Sequence, residues 1–569
     1  MLGLAPSRHY EPARMSALRH IQQTLSRSAA ARPRLLNGIA VLVLGALAAC
    51  GFQPLSLWPL TLVALALFIE MLSRADRRRQ AFALGWLLGV GHFTVGNTWI
   101  ATAFTYQAEM PAWLGLVAVF GLALYLAIYP ALAALAAWWL VGRLGAKREA
   151  GMPWLGLALA GCWIITEWMR GWVFTGFAWN PLGAALLGPF DAQGLAGLAP
   201  WMGTYGLSGL LLLIAALVRR LLRAGLLADR RQRATLAFGG ATTAAVLTAW
   251  MTMPATWIER REGGREFTLV QPDVRQDHIN DSRFYEANFL KLANQSLPRI
   301  PNTQRMVFWP ESGLADYLRD GYPRWLYRGM NYGGDPAMTR ERIGRVIGPY
   351  SLLMTGAVDL VIENGDEVAA RNTVTTLDPR GNLLASYSKA HLVPGGEYLP
   401  LRWLLEPLGL RRLVAGSLDF LPGPGPRTFD FGPWGKAGVQ LCYEIVFSGE
   451  VVDPRIRPDF IFNPSNDGWF GAWGPPQHLA QARLRAIEEG LPVLRSTTNG
   501  ISAVIDANGL VRAAIPRHQP GRIDGKIPPP EAPTPFARLG NLLPLGLALA
   551  MLALCVVALR RGRARDEAT

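Results

Sequence analysis

Hydrophobic positions run in long blocks through the first half of the chain and in short ones through the second. Apolar stretches of about 17 to 25 residues, the length of a membrane-spanning helix, lie at about 35–52, 55–72, 81–104, 112–141, 153–169, 200–218, 234–252 and 541–559. They predict eight transmembrane helices. Between the seventh and the eighth, charged residues spread evenly and the apolar runs shorten. FTLVQPDV, MVFWP, SLLMTGAVDL, NTVTTLDP, KAGVQLCYEIVF, DFIFNPSN, ISAVIDANG and LVRAAI read as strands, with helical patterns at about 282–298, 337–349 and 478–489. Strands alternating with helices predict an α/β layered domain, and about 280 residues is ample for its core.

Charge orients these elements. The arginine-rich amino terminus, the loops holding Arg74, Arg77, Arg78 and Arg79, then Arg143, Lys147 and Arg148, the segment 219–233 and the tail RRGRAR alternate with loops nearly free of positive charge. By the positive-inside rule all of these face the cytoplasm. The expected organisation is a cytoplasmic extension (1–34), a seven-helix membrane domain (35–254), a periplasmic domain (255–535), and a last transmembrane helix with a short cytoplasmic tail (536–569). Both termini are then inside, in the inner membrane of a double-membraned bacterium. A 51% hydrophobic content supports the membrane reading, and the net charge of +15 gathers in loop clusters. Nucleic-acid binding is therefore disfavoured. Trp113, Trp168, Trp172 and Trp179 near span ends read as interfacial anchors.

Four cysteines without a C-x-x-C pair and seven scattered histidines give neither a disulfide framework nor zinc spacing, so no metal or cofactor is expected. ALAACG around Cys50 imitates a lipoprotein cleavage signal. Six further spans follow it, so Cys50, like Cys162 and Cys555, reads as a packed membrane cysteine. Cys442 alone falls in the outer domain, facing an oxidising compartment where structural cysteines are normally paired. A buried strand cysteine is the plain alternative; a nucleophile is the informative one. Glu311, after the proline of MVFWPES, and Lys389, in SYSKAHLVPGGEYLP, lie at strand tips where α/β domains collect catalytic groups, and Glu397 follows eight residues after Lys389, beyond a proline and two glycines.

WPES, YSKAHLVPGGEYLP and LCYEI, in that order, resemble the nitrilase superfamily. SNDGWFG (465–471), PPQHLAQARLRAIE (475–488), LRSTTNGISAVID (494–506), GHFTVGNTWI (91–100) and TEWMRGWVFTGFAWN (166–180) are similar to the apolipoprotein N-acyltransferase family. The resemblance implies an αββα nitrilase-like sandwich inserted in a polytopic helical membrane protein. It implies transfer of a fatty acyl chain from a phospholipid, through a cysteine thioester, to the α-amino group of a lipoprotein's diacylglyceryl cysteine. On this reading Cys442 is the nucleophile, Glu311 the general base and Lys389 the oxyanion stabiliser. Glu397 orients them, Tyr443 and Glu444 match family positions with open roles, and Trp469, Phe470 and Trp473 are candidates for a substrate-access loop.

Departures from the family pattern are Asn280 and Gly395 in place of aromatic residues, Gly468 in place of alanine, and a long segment after Glu311. Two rivals are a membrane-tethered nitrilase-like amidase and a transporter with an outer binding domain. Few charges within the spans, Glu70 and Glu167 among them, weigh against the transporter.

Overall fold

The computed structural model describes residues 35–106, 111–145, 152–174, 176–227, 230–400, 402–405, 407 and 418–568. The expected extension 1–34, together with Lys147 and Arg148, lies outside them.

Every apolar stretch forms helix: Leu35–Ala49, Trp58–Ser73, Arg78–Gly96, Leu114–Leu126 continued by Ile128–Leu144, Leu155–Arg170, Ala199–Leu227, Arg230–Thr252 and Leu542–Ala568. Among the described residues, four helical segments are long and apolar enough to cross a membrane: Leu114–Leu144, Leu195–Gly225, Gln232–Thr252 and Leu542–Arg565. Leu35–Ala49 and Trp58–Ser73 are apolar but shorter. The third stretch changes at Thr98 into a 3-10 helix, Thr98–Tyr106. Arg219 ties two of the helices together by donating to Glu70 at 2.7 Å.

The chain between the last two helices builds two six-stranded sheets. Its strands are β1 (Glu266–Gln271), β2 (Arg305–Phe308), β3 (Ser351–Glu363), β4 (Asp366–Leu377), β5 (Leu383–Ser388), β6 (Thr428–Asp430), β7 (Lys436–Val439), β8 (Phe460–Ser465), β9 (Val493–Thr497), β10 (Ser502–Ile505), β11 (Val511–Ile515) and β12 (Gly521–Lys526). The orders are β12-β1-β2-β3-β4-β5 and β11-β10-β9-β8-β7-β6. Strand alternation sends Met306 and Phe308 between the sheets and Val307 to the outer face. Phe308 meets Phe460 and Phe462 across the gap at 5.9 and 4.8 Å. Val307, Val270 and Leu353 pack under the helices Tyr285–Ser296 and Pro336–Ile347.

The helix Gly474–Glu489 has two apolar faces. Leu479, Ala482 and Ala486 join the core of the sheets, while Ala480, Leu484 and Ile487 join that of the apolar helices. This explains why its charged residues are buried, a departure from an ordinary surface helix.

KAGVQLCYEIVF is not one strand. β7 stops at Val439 and Cys442–Val446 is a 3-10 helix, entered with Cys442 at φ +52°. The apolar run reads as a strand because both conformations here are buried, and burial alone does not distinguish them. β3 and β4 also run beyond the expected strands, meeting at Asn364 and Gly365, both at positive φ, a conformation matched to tight hairpins.

Candidate active site

Four strand ends converge on one point. β1, β2 and β3 are parallel, as are β7, β8 and β9, so their carboxyl ends share an edge. Pro310 follows β2 and delivers Glu311; β5 delivers Lys389, whose backbone N–H donates to Asn372 O at 2.9 Å on β4. β7 leads to Cys442, and β8 leads to Asn466 and Asp467. Glu311, Lys389, Glu397 and Cys442 are all at most 5% exposed.

Lys389 Nζ lies 2.9 Å from Glu397 Oε2 and 3.8 Å from Glu311 Oε1. Asn372 Nδ2 bridges the same two carboxylates, donating to Glu311 Oε1 at 2.7 Å and to Glu397 Oε1 at 2.9 Å. Glu311 Oε2 accepts from the Asn466 N–H at 2.8 Å, and Glu397 Oε2 from the Val393 N–H at 2.9 Å. Burial opposes the charge of Lys389, but Glu397 and Glu311 outweigh it and hold the ammonium above the usual lysine value. The cluster therefore keeps a cation beside the Glu311 side chain.

Burial pushes the Cys442 thiol well above its ordinary value; Glu311 adds to this, and Lys389 opposes it. At neutral pH the sulfur is a thiol, so attack on an ester has to be accompanied by proton transfer to a base. Alkylation of Cys442 by iodoacetamide is accordingly expected to accelerate with pH and to keep rising beyond pH 9.0, the ordinary thiol value. In Glu311→Gln, which loses one of the three raising causes (burial, Glu311 and Asp467), the profile is expected to move to lower pH.

Glu444 joins the segments that carry Lys389 and Cys442. Its Oε1 accepts from Tyr387 Oη at 2.7 Å and the N–H groups of Ala390 at 2.7 Å and His391 at 3.2 Å; its Oε2 accepts from the Leu441 N–H at 2.7 Å. Burial pushes its carboxyl up, while these donors hold it down. It thus fastens the loop after Lys389 to the residue before Cys442.

Tyr443 points to the apolar helices. Its ring stacks on Trp179 with centroids 6.5 Å apart, and Tyr443 Oη donates to Gly176 O at 3.5 Å. Trp179, expected as an interfacial anchor, is fully buried and also contacts Trp99, Phe470 and His478 at 4.5, 5.5 and 5.1 Å. Trp113 and Trp172 are half or more exposed, as anchors are. Phe470 is buried in this aromatic wall, Trp469 meets Tyr106 edge-on at 5.9 Å, and Trp473 is half-buried. The wall borders Cys442 through its neighbour Tyr443.

Asn372, Asn466, Asp467 and His478 escaped the sequence reading as site residues. For Asn466 and Asp467 the available signal was a polar pair directly after the apolar β8.

Two departures from the family pattern have local causes. Gly395 has φ +74°, which disfavours a bulky residue. At Gly468 a Cβ would lie 2.5 Å from Gln276 Oε1, so the buried Gln276 side chain occupies the space of the missing methyl. Asn280 is exposed, and nothing in the structure explains its identity. Gly468→Ala is expected to cost about 1 to 3 kcal/mol by overpacking, readable as a lowered unfolding midpoint, with recovery in Gly468→Ala/Gln276→Ala.

Residues 44–217 match the family model described as Apolipoprotein N-acyltransferase N-terminal domain, and residues 300–532 that of Carbon-nitrogen hydrolase. The apolipoprotein N-acyltransferase of Rhodopseudomonas palustris is 32% identical over 544 residues, covering 92% of this chain and 95% of that protein. That of Caulobacter vibrioides is 34% identical over 539 residues, covering 91% and 94%. Among solved structures, Nit3 of Saccharomyces cerevisiae, of the nitrilase superfamily, is similar with a TM-score of 0.32 at 19% identity, covering 46% of this chain and 90% of its own. The match to the Carbon-nitrogen hydrolase model gives most of the two-sheet part that fold, and the similarity to the curated relatives runs nearly end to end: this chain belongs to the apolipoprotein N-acyltransferase family.

Proposed function

We propose that this membrane acyltransferase moves a fatty acyl chain from a phospholipid to the α-amino group of a lipoprotein's amino-terminal diacylglyceryl cysteine, through a thioester on Cys442. The observation that carries the reading is the buried cluster of Glu311, Lys389, Glu397 and Asn372 at the strand ends that also deliver Cys442. In the first half-reaction Glu311 takes the thiol proton as sulfur attacks the ester carbonyl. Lys389 offsets the negative charge that develops on the carbonyl oxygen, a contribution of about 3 to 4 kcal/mol for one donor of this type. Glu311 then returns the proton to the departing lysophospholipid oxygen. In the second half-reaction Glu311 accepts a proton from the attacking amine and passes it to the departing Cys442 sulfur, so the amide forms as the thiol and the Glu311 base are restored.

Glu397 holds Lys389, and Glu444 holds the backbone on both sides of the pair. The proposed donor is phosphatidylethanolamine, a phospholipid abundant in bacterial inner membranes. Residues 255–535 would lie on the periplasmic side with both chain ends in the cytoplasm, which follows from the arginine-rich loops. Trp469, Phe470 and Trp473, beside the aromatic wall, would border the path of the acyl chain.

Incubating the detergent-solubilised protein with phosphatidylethanolamine and a diacylglyceryl lipopeptide bearing a free amino terminus tests this. Triacylated lipopeptide is the expected product. Release of free fatty acid alone would make the protein a hydrolase and end the proposal.

A further inference from the structure

Cys442 is held in a conformation that an L-residue avoids. Its φ of +52° lies in the left-handed region, where a non-glycine residue is disfavoured by roughly 1 to 2 kcal/mol, so surrounding contacts have to hold it there. Two side chains reach its carbonyl oxygen: His478 Nε2 at 3.0 Å and Asn463 Nδ2 at 3.5 Å. A carbonyl only accepts, so Nε2 carries a proton. The other ring nitrogen, Nδ1, lies 3.0 Å from both Asp467 Oδ1 and Arg495 Nη2. Burial and Arg495 push the imidazole below its ordinary value while Asp467 opposes them, and the Nε2–H bond to the Cys442 carbonyl forms whether or not Nδ1 also carries a proton.

Arg495 in turn holds Asp467 through two contacts of 2.8 Å, and His478, Asp467 and Arg495 are fully buried. The ring meets the nucleophile's backbone, so it has no place in the proton transfers assigned to Glu311. What it fixes is the direction of the Cys442 peptide, and with it the placement of sulfur against Glu311 and Lys389.

The helix that carries His478 takes its own position from the apolar helix Ala199–Leu227 and from the segment that joins it to Leu155–Arg170. Gln477 Oε1 accepts from Trp179 Nε1 at 2.9 Å and Asn180 Nδ2 at 2.8 Å. Arg483 donates to the carbonyls of Gly188, Pro189 and Ala192 at 2.8, 2.6 and 2.9 Å. Glu488 Oε1 accepts from the N–H and hydroxyl of Thr204, both at 2.6 Å. A shift of this helix would move the imidazole off the Cys442 carbonyl.

We propose that His478 is a positioning residue for acyl transfer, holding the left-handed backbone of Cys442 through its Nε2–H bond, and that Gln477 transmits to that bond the placement of Trp179 and Asn180 in the segment joining two apolar helices. The inference rests on Cys442 being the nucleophile.

The test uses the full chain in detergent with phosphatidylethanolamine vesicles as donor. His478→Leu, His478→Gln and Gln477→Leu are compared for single-turnover thioester formation, phospholipid KM and thermal unfolding midpoint. A misplacement of this kind costs about 100-fold in rate, so His478→Leu is expected to lose about that much in thioester formation with little change in KM. His478→Gln, which keeps an N–H donor, recovers at least about tenfold of it, and Gln477→Leu loses about tenfold. Folded variants with wild-type thioester rates would overturn the inference, as would His478→Gln behaving no better than His478→Leu. Should His478→Leu fail to fold, His478→Gln and Gln477→Leu decide: rates unchanged from wild type overturn it, and losses of the stated order support it. Wild-type protein that transfers acyl chains without a thioester on Cys442 would instead refute the proposed function, a distinguishable result.

Discussion

Cys442→Ala is expected to leave a folded protein that transfers no acyl chain. The sulfur is a small part of the core around it, and the left-handed backbone is no harder for alanine than for cysteine, so the unfolding midpoint should move little. The chemistry has no substitute. No other cysteine among the described residues is near the Glu311 and Lys389 cluster, since Cys50, Cys162 and Cys555 belong to the apolar helices. Without sulfur the two half-reactions have no shared intermediate, and removing a covalent nucleophile costs on the order of 10⁴-fold or more. The measurement is triacylated lipopeptide per minute, with mass spectrometry of the enzyme after exposure to donor alone. A mass increase of one acyl chain in wild type that vanishes in Cys442→Ala is the predicted pair of results. Transfer by the variant above about a hundredth of the wild-type rate would sink the nucleophile assignment.

Lys389→Met should damage both folding and activity. The ammonium is 1% exposed and sits against Glu397 and Glu311. Methionine fills a similar volume but leaves two buried carboxylates with Asn372 as their one shared partner. Breaking a buried pair by removing one member costs about 3 to 5 kcal/mol. The surviving folded fraction lacks the cation facing the developing oxyanion, for which about 10²- to 10³-fold in rate is expected. The two effects separate in Lys389→Met/Glu397→Gln. Neutralising the second carboxylate should restore most of the lost midpoint and none of the lost rate. A double variant with recovered activity would show that Lys389 acts through stability alone.

Much of this was legible in the sequence because the signals were additive over several residues. Spanning-length apolar runs located every apolar helix, and short apolar runs located β1, β2, β8, β10 and β11 with small boundary errors. Glu311, Lys389, Glu397 and Cys442 were singled out from strand-tip position and motif order, and the structure brings them together. The missed elements fail for physical reasons. β12 (GRIDGK) is charged, with an exposed carboxyl end, so its strand character comes from pairing with β1 rather than from its own side chains. β9 (VLRST) carries Arg495, Ser496 and Thr497, which break the short apolar run that marks the other buried strands. The turn at Cys442 hides in an apolar run because its polar supports, His478, Asn463 and Glu444, come from elsewhere in the chain or from three residues on. Trp179 was misjudged for the same reason: a tryptophan near a span end can face lipid headgroups or protein, and sequence position does not distinguish the two.

The antiparallel pairing of β1 with β12 sets a schedule for making the protein. Gln271 pairs with Gly521, about 250 residues later. At a synthesis rate of roughly 5 to 20 residues per second, the β1 edge waits on the order of 10 to 50 seconds for its neighbour. The last apolar helix begins at Leu542, soon after β12 ends at Lys526. Completion of the sandwich and entry of the final helix therefore fall within seconds of each other during biosynthesis. Until then an unpaired strand edge stands open beside the bilayer, and holding chaperones would find it there.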